Sequence, residues 1–306
     1  MALDFHAQQS SNQRKTYALL FGMGVVTVGL IYAVGMWLGK GSSLLFPVAV
    51  VIALVMVWGS YYNSDKLVLS MTGARIIDHD SAPQLFNLVH EITIAAGLPM
   101  PKIAIVQDSA PNAFATGRDP DHAVIAFTSG ILQIMDREEL QGVTAHELAH
   151  VANRDTLVMA VAATTAGAIA IISDIAIRMS WFTGGNRRDN NDNGNPIGAI
   201  VALVAIILAP IAALLLRSAI SRKRESLADA TAVAFTRNPT GLRRALESLA
   251  ADTTVVDQKS NAVAHIWIES PLDDSSTSKL FATHPPIQER ITLLMQMEGT
   301  ETSNDK

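Results

Sequence analysis

Long apolar segments alternate with polar segments along the chain, and the first two apolar segments are long enough to cross a lipid bilayer. Residues 16–39 and residues 41–64 contain no charged side chain. A helix needs roughly 20 apolar residues to cross the hydrocarbon core of a membrane. A short polar turn at residues 40–43 separates the two segments. We therefore predict a hairpin of two membrane-spanning helices at the N-terminal end.

Two shorter apolar segments follow at residues 156–173 and 197–216, separated by a loop rich in Gly, Asn and Asp at residues 181–196. Their lengths lie in the lower half of the range for a spanning helix. Buried core helices, or helices lying in the membrane interface, are the alternatives. We predict that this second hydrophobic hairpin also spans the membrane.

Positive charges near the ends of the apolar segments predict the orientation of the chain, because cytoplasmic loops carry an excess of Lys and Arg. Nine such residues lie on the side of the N-terminus and the two large polar regions, and four lie on the other side. We therefore predict that the polar regions face the cytoplasm. The nine are Arg14, Lys15, Lys66, Arg75, Arg154, Arg217, Arg222, Lys223 and Arg224, and the four are Lys40, Arg178, Arg187 and Arg188.

The first polar region has the periodicities of a small α+β domain. Apolar residues recur at helical spacing in residues 82–97, and short runs typical of strands follow at residues 102–107, 112–116 and 122–128. We predict that the strands form a small β-hairpin or meander.

Helix signals dominate the rest of the polar chain. Asp136, followed three residues later by Glu139, has the capping-box pattern that begins a helix. Further helices are predicted at residues 221–236, 241–250 and 287–297, where apolar residues again recur at helical spacing.

Composition narrows the kind of protein and the kind of site. Charged residues make up only 17% of the chain and hydrophobic residues 49%, whereas a soluble domain carries about 25% charged residues. The net charge of −5 offers no basic field for nucleic acid, which we exclude as a partner. The absence of cysteine excludes disulfides, thiol catalysis and thiolate metal ligands. A transition-metal site must therefore use His, Asp and Glu.

Residues 146–150 form the motif His-Glu-Leu-Ala-His. On a helix, positions i and i+4 share one face, so His146 and His150 can bind the same metal ion. Glu147 is adjacent to the first ligand and can take a proton from a metal-activated water without binding the metal. The alternative is a pair of surface histidines on an amphipathic helix. The motif predicts a catalytic zinc site with one ion per chain.

A catalytic zinc ion usually has three protein ligands, and two His with one Glu is a common set. The strongest candidate for the third ligand is Glu225. Asp229 lies one helical turn further on and can accept the free N–H of a ligating histidine. The alternative is an exposed acidic pair that forms salt bridges with Arg222 or Arg224.

Four segments of the chain form a distinctive set in a fixed order. They are Pro-Asn-Ala-Phe-Ala-Thr-Gly at 111–117, the metal motif followed by Asn-Arg-Asp at 153–155, Ser-Arg-Lys-Arg-Glu-Ser-Leu-Ala-Asp-Ala at 221–230, and Phe-Ala-Thr-His-Pro-Pro at 281–286. Together these segments resemble the HtpX family of bacterial membrane zinc endopeptidases, which are relatives of the CAAX prenyl endoproteases.

The resemblance implies that His146, His150 and Glu225 are the zinc ligands and that Glu147 is the catalytic glutamate. It implies cleavage of misfolded or damaged membrane proteins in quality control, at the cytoplasmic face of the bacterial inner membrane, with possible self-cleavage. Polypeptides and the lipid bilayer are the implied partners.

The expected fold is mainly α, with multi-pass membrane helices and a zincin-like α+β catalytic domain that contains the small hairpin or meander. We predict a transmembrane hairpin at 1–64, the first part of the catalytic domain at 65–155, the second hydrophobic hairpin at 156–216, and the second part of the catalytic domain, with the third zinc ligand, at 217–306.

Two further residues are candidates near the site. Asn112 begins a predicted edge strand to which an extended peptide substrate can add through main-chain hydrogen bonds; an ordinary hairpin strand is the alternative. His284 precedes two prolines and can donate a hydrogen bond to the oxyanion of the tetrahedral intermediate. Its alternative role is local packing at a helix start.

Two other functions use the same residues. A non-enzymatic membrane zinc-binding protein, such as a transporter or sensor, would bury its ligands inside spanning helices. Here the helix with the metal motif begins in a polar region and carries a glutamate where a base is needed, which favours the enzyme. A prenyl-protein endoprotease of the CAAX type would apply the same chemistry to another substrate.

Overall fold

The computed structural model of the chain describes residues 44–161, 222–252, 254, 266–268 and 286–304, and positions scattered between 10 and 28. The fourth predicted apolar segment and most of the first and third lie outside the described residues, as does His284.

Two consecutive helices, α1 (Leu45–Tyr62) and α2 (Ser64–Thr72), cover the second apolar segment and the start of the polar region. Among the described residues, no single helix is both long and apolar enough to cross a membrane. Helices α1 and α2 meet the length and composition criteria only as a pair, and they are bent by 71° where they meet.

The described residues form a mixed sheet of four strands, β1 (Arg75–Ile76), β2 (Lys102–Val106), β3 (Ala113–Thr116) and β4 (Val124–Thr128). The strands lie in the order β1-β2-β4-β3. Strands β3 and β4 pair antiparallel, which confirms the hairpin, but β2 and β4 pair parallel, so the meander alternative is wrong. The short strand β1, which the sequence pattern did not predict, adds to the far edge of β2.

The described residues also form six further α-helices: α3 (Pro83–Ala96), α4 (Ser129–Ile134), α5 (Arg137–Ala152), α6 (Arg222–Thr236), α7 (Pro239–Ala251) and α8 (Ile287–Asn304). Helices α3, α6 and α7 agree with the predicted segments to within two residues, and α5 begins directly after the predicted cap. Helix α8 begins at the predicted residue but runs on to Asn304. The short helix α4 was not predicted.

Helix α5 begins with the predicted capping box. The backbone N–H of Glu139 donates to Asp136 Oδ1, and the N–H of Asp136 donates to Glu139 Oε2, both at 2.9 Å. These contacts satisfy two backbone donors that a helix start otherwise leaves without partners. The cap fixes where the helix begins, and therefore which residues of the metal motif share a face.

Helix α5 lies at the centre of the fold, in contact with β3, α3, α6 and α7. Its residues from Gly142 to Val151 are all buried. Apolar residues of all these elements form one core. A helix buried on every side can hold polar groups only if they are paired or bind a ligand, so its two histidines and Glu147 require such partners.

The crossing of α5 and α7 depends on Gly142. A Cβ atom added at this residue would lie 2.4 Å from the backbone nitrogen of Leu242 and 2.8 Å from the carbonyl carbon of Gly241. Backbone atoms cannot move aside as a flexible side chain does. The two helices can therefore approach this closely only with glycine at 142.

We expect Gly142→Ala to lower the free energy of unfolding by about 1–3 kcal/mol or more, as for other overpacked cores. Thermal unfolding of the detergent-solubilised protein, followed by circular dichroism, measures the change. Gly59→Ala in α1 is the control, because an added Cβ there meets nothing within 4 Å. Equal melting temperatures for the two variants would contradict this account of the crossing.

Candidate metal centre

Helix α5 presents two imidazoles to one point. His146 and His150 are 0% and 3% exposed, and their Nε2 atoms lie 3.1 Å apart. The rings are nearly perpendicular, with an interplanar angle of 87°. Two buried imidazole nitrogens that face each other at this distance can bind one metal cation between them when both are deprotonated.

Helix α6 completes the group with Glu225, whose side chain is buried. Its Oε2 lies 3.7 Å from His146 Nε2, and its Oε1 lies 3.8 Å from His150 Nε2. Ligands about 2.1 Å from a tetrahedral zinc ion are about 3.4 Å from one another. The separations of the three donor atoms therefore fit a zinc ion with three protein ligands and one open position.

A carboxylate accepts a hydrogen bond from the other nitrogen of each imidazole. Asp229 Oδ1 lies 2.9 Å from His146 Nδ1, as expected from its position one turn after Glu225. The two oxygens of Asp155 lie 3.0 and 3.1 Å from His150 Nδ1. Such contacts place the proton on Nδ1 and leave Nε2 as the ligand atom.

Arg290 of helix α8 joins the site through Asp229. Its Nε and one terminal nitrogen donate to the two oxygens of Asp229 at 2.9 and 2.7 Å, in a two-point ion pair that is almost fully buried. The guanidinium also lies 3.3 Å from the His146 ring. Burying one partner alone would be costly, so Arg290 and Asp229 stabilise each other and fix the position of His146.

Glu147 lies beside the ligands and is 2% exposed. The backbone N–H of Ala115 in β3 donates to its carboxylate. Burial raises the pKa of Glu147 to about 7, in spite of the positive charge of His150 nearby. A carboxylate with a pKa near neutrality can both accept and return a proton, which is what a general base requires.

The two imidazoles have opposite protonation preferences. Burial, together with the charge of Arg290, lowers the pKa of His146 to about 4. Burial would also lower the pKa of His150, but the carboxylates of Asp155, Glu225 and Glu147 together outweigh this effect and raise it to about 10. Asp229 has its pKa held below the usual range because the charge of Arg290 outweighs the effect of burial.

Formal charges in the site leave room for a divalent cation. With both imidazoles neutral, as metal ligands must be, and Glu147 ionised, the four buried carboxylates and the two buried guanidinium groups sum to an excess of two negative charges. The second guanidinium is Arg224, which lies near Asp155 and Glu225 and has its pKa lowered by burial. Buried charges are normally paired or bind a metal. The carboxylates are Glu147, Asp155, Glu225 and Asp229.

Strand β3 forms one edge of the sheet beside α5, and Asn112 directly precedes it. The Asn112 side chain is buried and accepts from the backbone N–H of Ala113 at 3.0 Å. On the outer edge of β3, the Ala113 carbonyl accepts from the N–H of Ile268 at 2.9 Å. The strand therefore lies next to the site, and part of its edge is paired with another segment of this chain.

The structure brings together five residues singled out by sequence: His146, Glu147, His150, Glu225 and Asp229. The sequence reasoning missed Asp155 and Arg290 as site residues. Arg290 could have been found from the sequence, because helical spacing places it with Ile287, Ile291 and Leu294 on the face of α8 that packs against the core. A charged residue at a core-facing position requires a buried partner.

Comparison with known proteins identifies the family. The chain is 43% identical over 291 residues to the protein named Protease HtpX homolog of Thermoanaerobacter pseudethanolicus, covering 94% of this chain and 96% of that protein. It is 46% identical over 276 residues to the Protease HtpX homolog of Syntrophobacter fumaroxidans, covering 89% and 97%.

Among solved structures, the crystal structure of S. mikatae Ste24p aligns with a TM-score of 0.48 and 18% identity, covering 94% of this chain and 66% of that chain. The model of peptidase family M48 matches residues 80–298. This match extends over more than half of the chain and includes the two histidines and the glutamate of the metal centre. The chain therefore belongs to peptidase family M48.

Proposed function

We propose that this chain is a membrane-bound zinc metalloendopeptidase that hydrolyses peptide bonds of misfolded or damaged membrane proteins. The observation that carries the proposal is the buried group of His146, His150 and Glu225, with Glu147 beside it on the same helix. Zinc is the proposed ion because two imidazoles and one carboxylate with an open fourth position form a standard catalytic zinc set.

A bound zinc ion would polarise the scissile carbonyl and make water acidic enough to be deprotonated near neutral pH. Glu147 then accepts the proton of the attacking water and returns it to the leaving amine. Asp229 and Asp155 keep the two imidazoles in the tautomer that leaves Nε2 available. His284 is proposed to donate a hydrogen bond to the oxyanion that forms at the scissile carbonyl.

The exposed surface of α1 supports a location in the membrane. Large apolar side chains are exposed on several sides of this helix, whereas, among its side chains that the structure describes, only the small residues Ala49 and Ala53 are buried. A helix that exposes apolar side chains in this way is stable in contact with lipid or a partner. The exposed residues include Phe46, Val48, Val51, Ile52, Leu54, Val55 and Trp58. We propose a multi-pass protein of the bacterial inner membrane with its metal centre facing the cytoplasm.

The edge of β3 near Glu147 is the proposed place where the substrate main chain binds. A peptide that adds to a sheet edge is held mainly through its backbone, which allows many sequences to bind. Asn112 would position the start of this strand. Because Ile268 already occupies the Ala113 carbonyl and the Ala115 N–H already donates to Glu147, the substrate must pair with other backbone groups of β3 or displace one of these contacts.

Metal-dependent proteolysis by the purified protein tests the proposal. The full chain is purified in detergent with a chelator present, to limit self-cleavage, and is then supplied with zinc and an unfolded membrane protein. We expect cleavage that a chelator stops and zinc restores. Zinc transport into vesicles without cleavage would indicate a transporter instead, and cleavage confined to prenylated peptides would indicate an endoprotease of the CAAX type.

We expect Asp229→Asn to weaken zinc affinity by about 10- to 100-fold, the usual effect of losing a partner of a ligating histidine. The amide cannot replace the carboxylate as an ionic partner of Arg290, and it no longer fixes the His146 tautomer. Competition with a coloured chelator measures the affinity. Asp252→Asn, in the cap that follows α7, is the control and should bind zinc as tightly as the unmodified chain. Equal affinities for the two variants would remove Asp229 from the site.

A further inference from the structure

The turn that follows helix α5 places Asp155 against His150. Three backbone hydrogen bonds close it: Asn153 N to Ala149 O at 2.9 Å, Arg154 N to Val151 O at 3.1 Å, and Asp155 N to His150 O at 3.2 Å. The turn reverses the chain so that the carboxylate of Asp155 returns to the imidazole that precedes it by five residues.

The turn contains a backbone conformation that must be held in place by its surroundings. Arg154 has φ of 55°, in the left-handed region that non-glycine residues seldom adopt. Such a conformation persists only where surrounding contacts determine it. The orientation of Asp155 therefore depends on whatever holds residues 153–155.

One of these contacts comes from a residue near the N-terminus, among the described positions between residues 10 and 28. Asn12 is 0% exposed, and its Nδ2 donates to the carbonyl oxygen of Asn153 at 3.0 Å. The two residues are 141 positions apart in sequence. This bond satisfies a buried carbonyl in the turn, and a buried carbonyl left without a donor is unfavourable.

Apolar contacts hold the same segment beside the turn. Leu20 packs with Leu157 and Val161, which directly follow the turn, and with Val57 and Tyr61 of α1. Burial lowers the pKa of Lys15, and the nearby positive charge of Arg224 lowers it further. Asn12 and Leu20 therefore contact the chain before and after Asp155, at Asn153 and at Leu157 and Val161.

We propose that Asn12 is a positioning residue for the metal centre, which holds the turn so that Asp155 can orient His150. This inference rests on the proposed role of His150 as a zinc ligand. Asn12 does not touch the ligands. It acts through the backbone of Asn153, then through Asp155, and finally through the imidazole.

The expected size of the effect follows from conformational populations. When only a fraction of molecules has the binding-competent turn, the apparent dissociation constant rises by the inverse of that fraction. Loss of the Asn12 contact should therefore weaken zinc affinity about three- to tenfold. The effect cannot exceed that of removing Asp155 itself, for which we expect about 10- to 100-fold.

The test measures zinc dissociation constants of the full chain in detergent by competition with a chelator. All proteins carry Glu147→Gln so that no self-cleavage occurs during the titration. The variants are Asn12→Ala, Asp155→Ala and the two combined. Asn63→Ala is the matched control, because Asn63 Nδ2 also donates to a backbone carbonyl at 3.0 Å, that of Gly59 in α1.

We expect weaker zinc binding for Asn12→Ala and unchanged binding for Asn63→Ala. In the Asp155→Ala background, Asn12→Ala should have no further effect, because the residue acts only through Asp155. The visible spectrum of the cobalt-substituted protein reports ligand geometry. It should be unchanged in Asn63→Ala, altered in Asn12→Ala and altered most in Asp155→Ala. Asn12→Leu, which keeps the branching and the number of side-chain heavy atoms, replaces Asn12→Ala if the smaller side chain unfolds the metal-free protein.

Zinc affinities of Asn12→Ala and Asn12→Leu within twofold of the parent protein would overturn the inference. So would effects of Asn12→Ala and Asp155→Ala that simply add, because they would show independent roles. A parent protein that binds no zinc would instead refute the proposed function, and the two failures are therefore distinguishable.

Discussion

Replacing Glu147 by glutamine is expected to abolish peptide hydrolysis while zinc stays bound. The amide has nearly the same size as the carboxylate, so the buried surroundings of residue 147 change little. It cannot accept a proton from water, however. General-base catalysis contributes about 10²- to 10⁴-fold, and we expect a loss of at least this size in kcat/KM. Zinc content per chain, measured by atomic absorption, should equal that of the unmodified protein.

The matched control for this variant is Glu138→Gln. Glu138 lies in the first turn of the same helix, half exposed, and pairs with Arg244 rather than with the metal group. Its replacement should change the rate by less than about twofold, because surface ion pairs contribute little. Normal cleavage by Glu147→Gln would show that another group is the base. Loss of zinc from this variant would show that Glu147 has a structural role.

The centre of the site was predictable from sequence because its geometry is local. His146 and His150 meet because residues four apart share a helix face, and Glu225 and Asp229 are related in the same way. The capping box at Asp136 was predictable for the same reason. Each of these patterns lies within one or two helical turns, where spacing alone determines direction.

Contacts between distant segments were not predictable in this way. The parallel pairing of β2 with β4, and the addition of β1, join strands whose local alternation is compatible with several sheet orders. Arg290 pairs with Asp229 across 61 positions and Asn12 with Asn153 across 141. No local periodicity links such residues. Asp155 is close in sequence to His150, but its role depends on the left-handed turn at Arg154.

Replacing Glu225 by glutamine is expected to remove the metal and, with it, the activity. A neutral amide oxygen is a much weaker zinc ligand than a carboxylate, and this change also removes one of the two excess negative charges of the site. Loss of a residue that only orients a ligand typically lowers zinc affinity about 10- to 100-fold. We expect a larger fall here, because the ligand itself is lost. Equilibrium dialysis against a chelator, followed by metal analysis, measures the loss.

Thermal unfolding separates loss of the ligand from loss of the fold. Zinc stabilises only the folded state that binds it, by an amount that grows with the ratio of free zinc to the dissociation constant. The unmodified protein should therefore melt at a higher temperature when zinc is added, and Glu225→Gln should not. The metal-free proteins should melt at similar temperatures, because the substitution relieves repulsion among buried carboxylates as it removes contacts with the histidines.

Glu247→Gln is the control for the Glu225 experiment, since Glu247 pairs with Arg243 on the surface of α7, away from the metal group. It should retain both zinc and the zinc-dependent rise in melting temperature. If Glu225→Gln kept full zinc affinity, the ion would have to be held by other groups. The distances of 3.7 and 3.8 Å between Glu225 and the two imidazoles would then reflect charge pairing with protonated histidine rather than a ligand set. That outcome would leave Glu147 without an activated water, because the proposed chemistry requires the ion beside it.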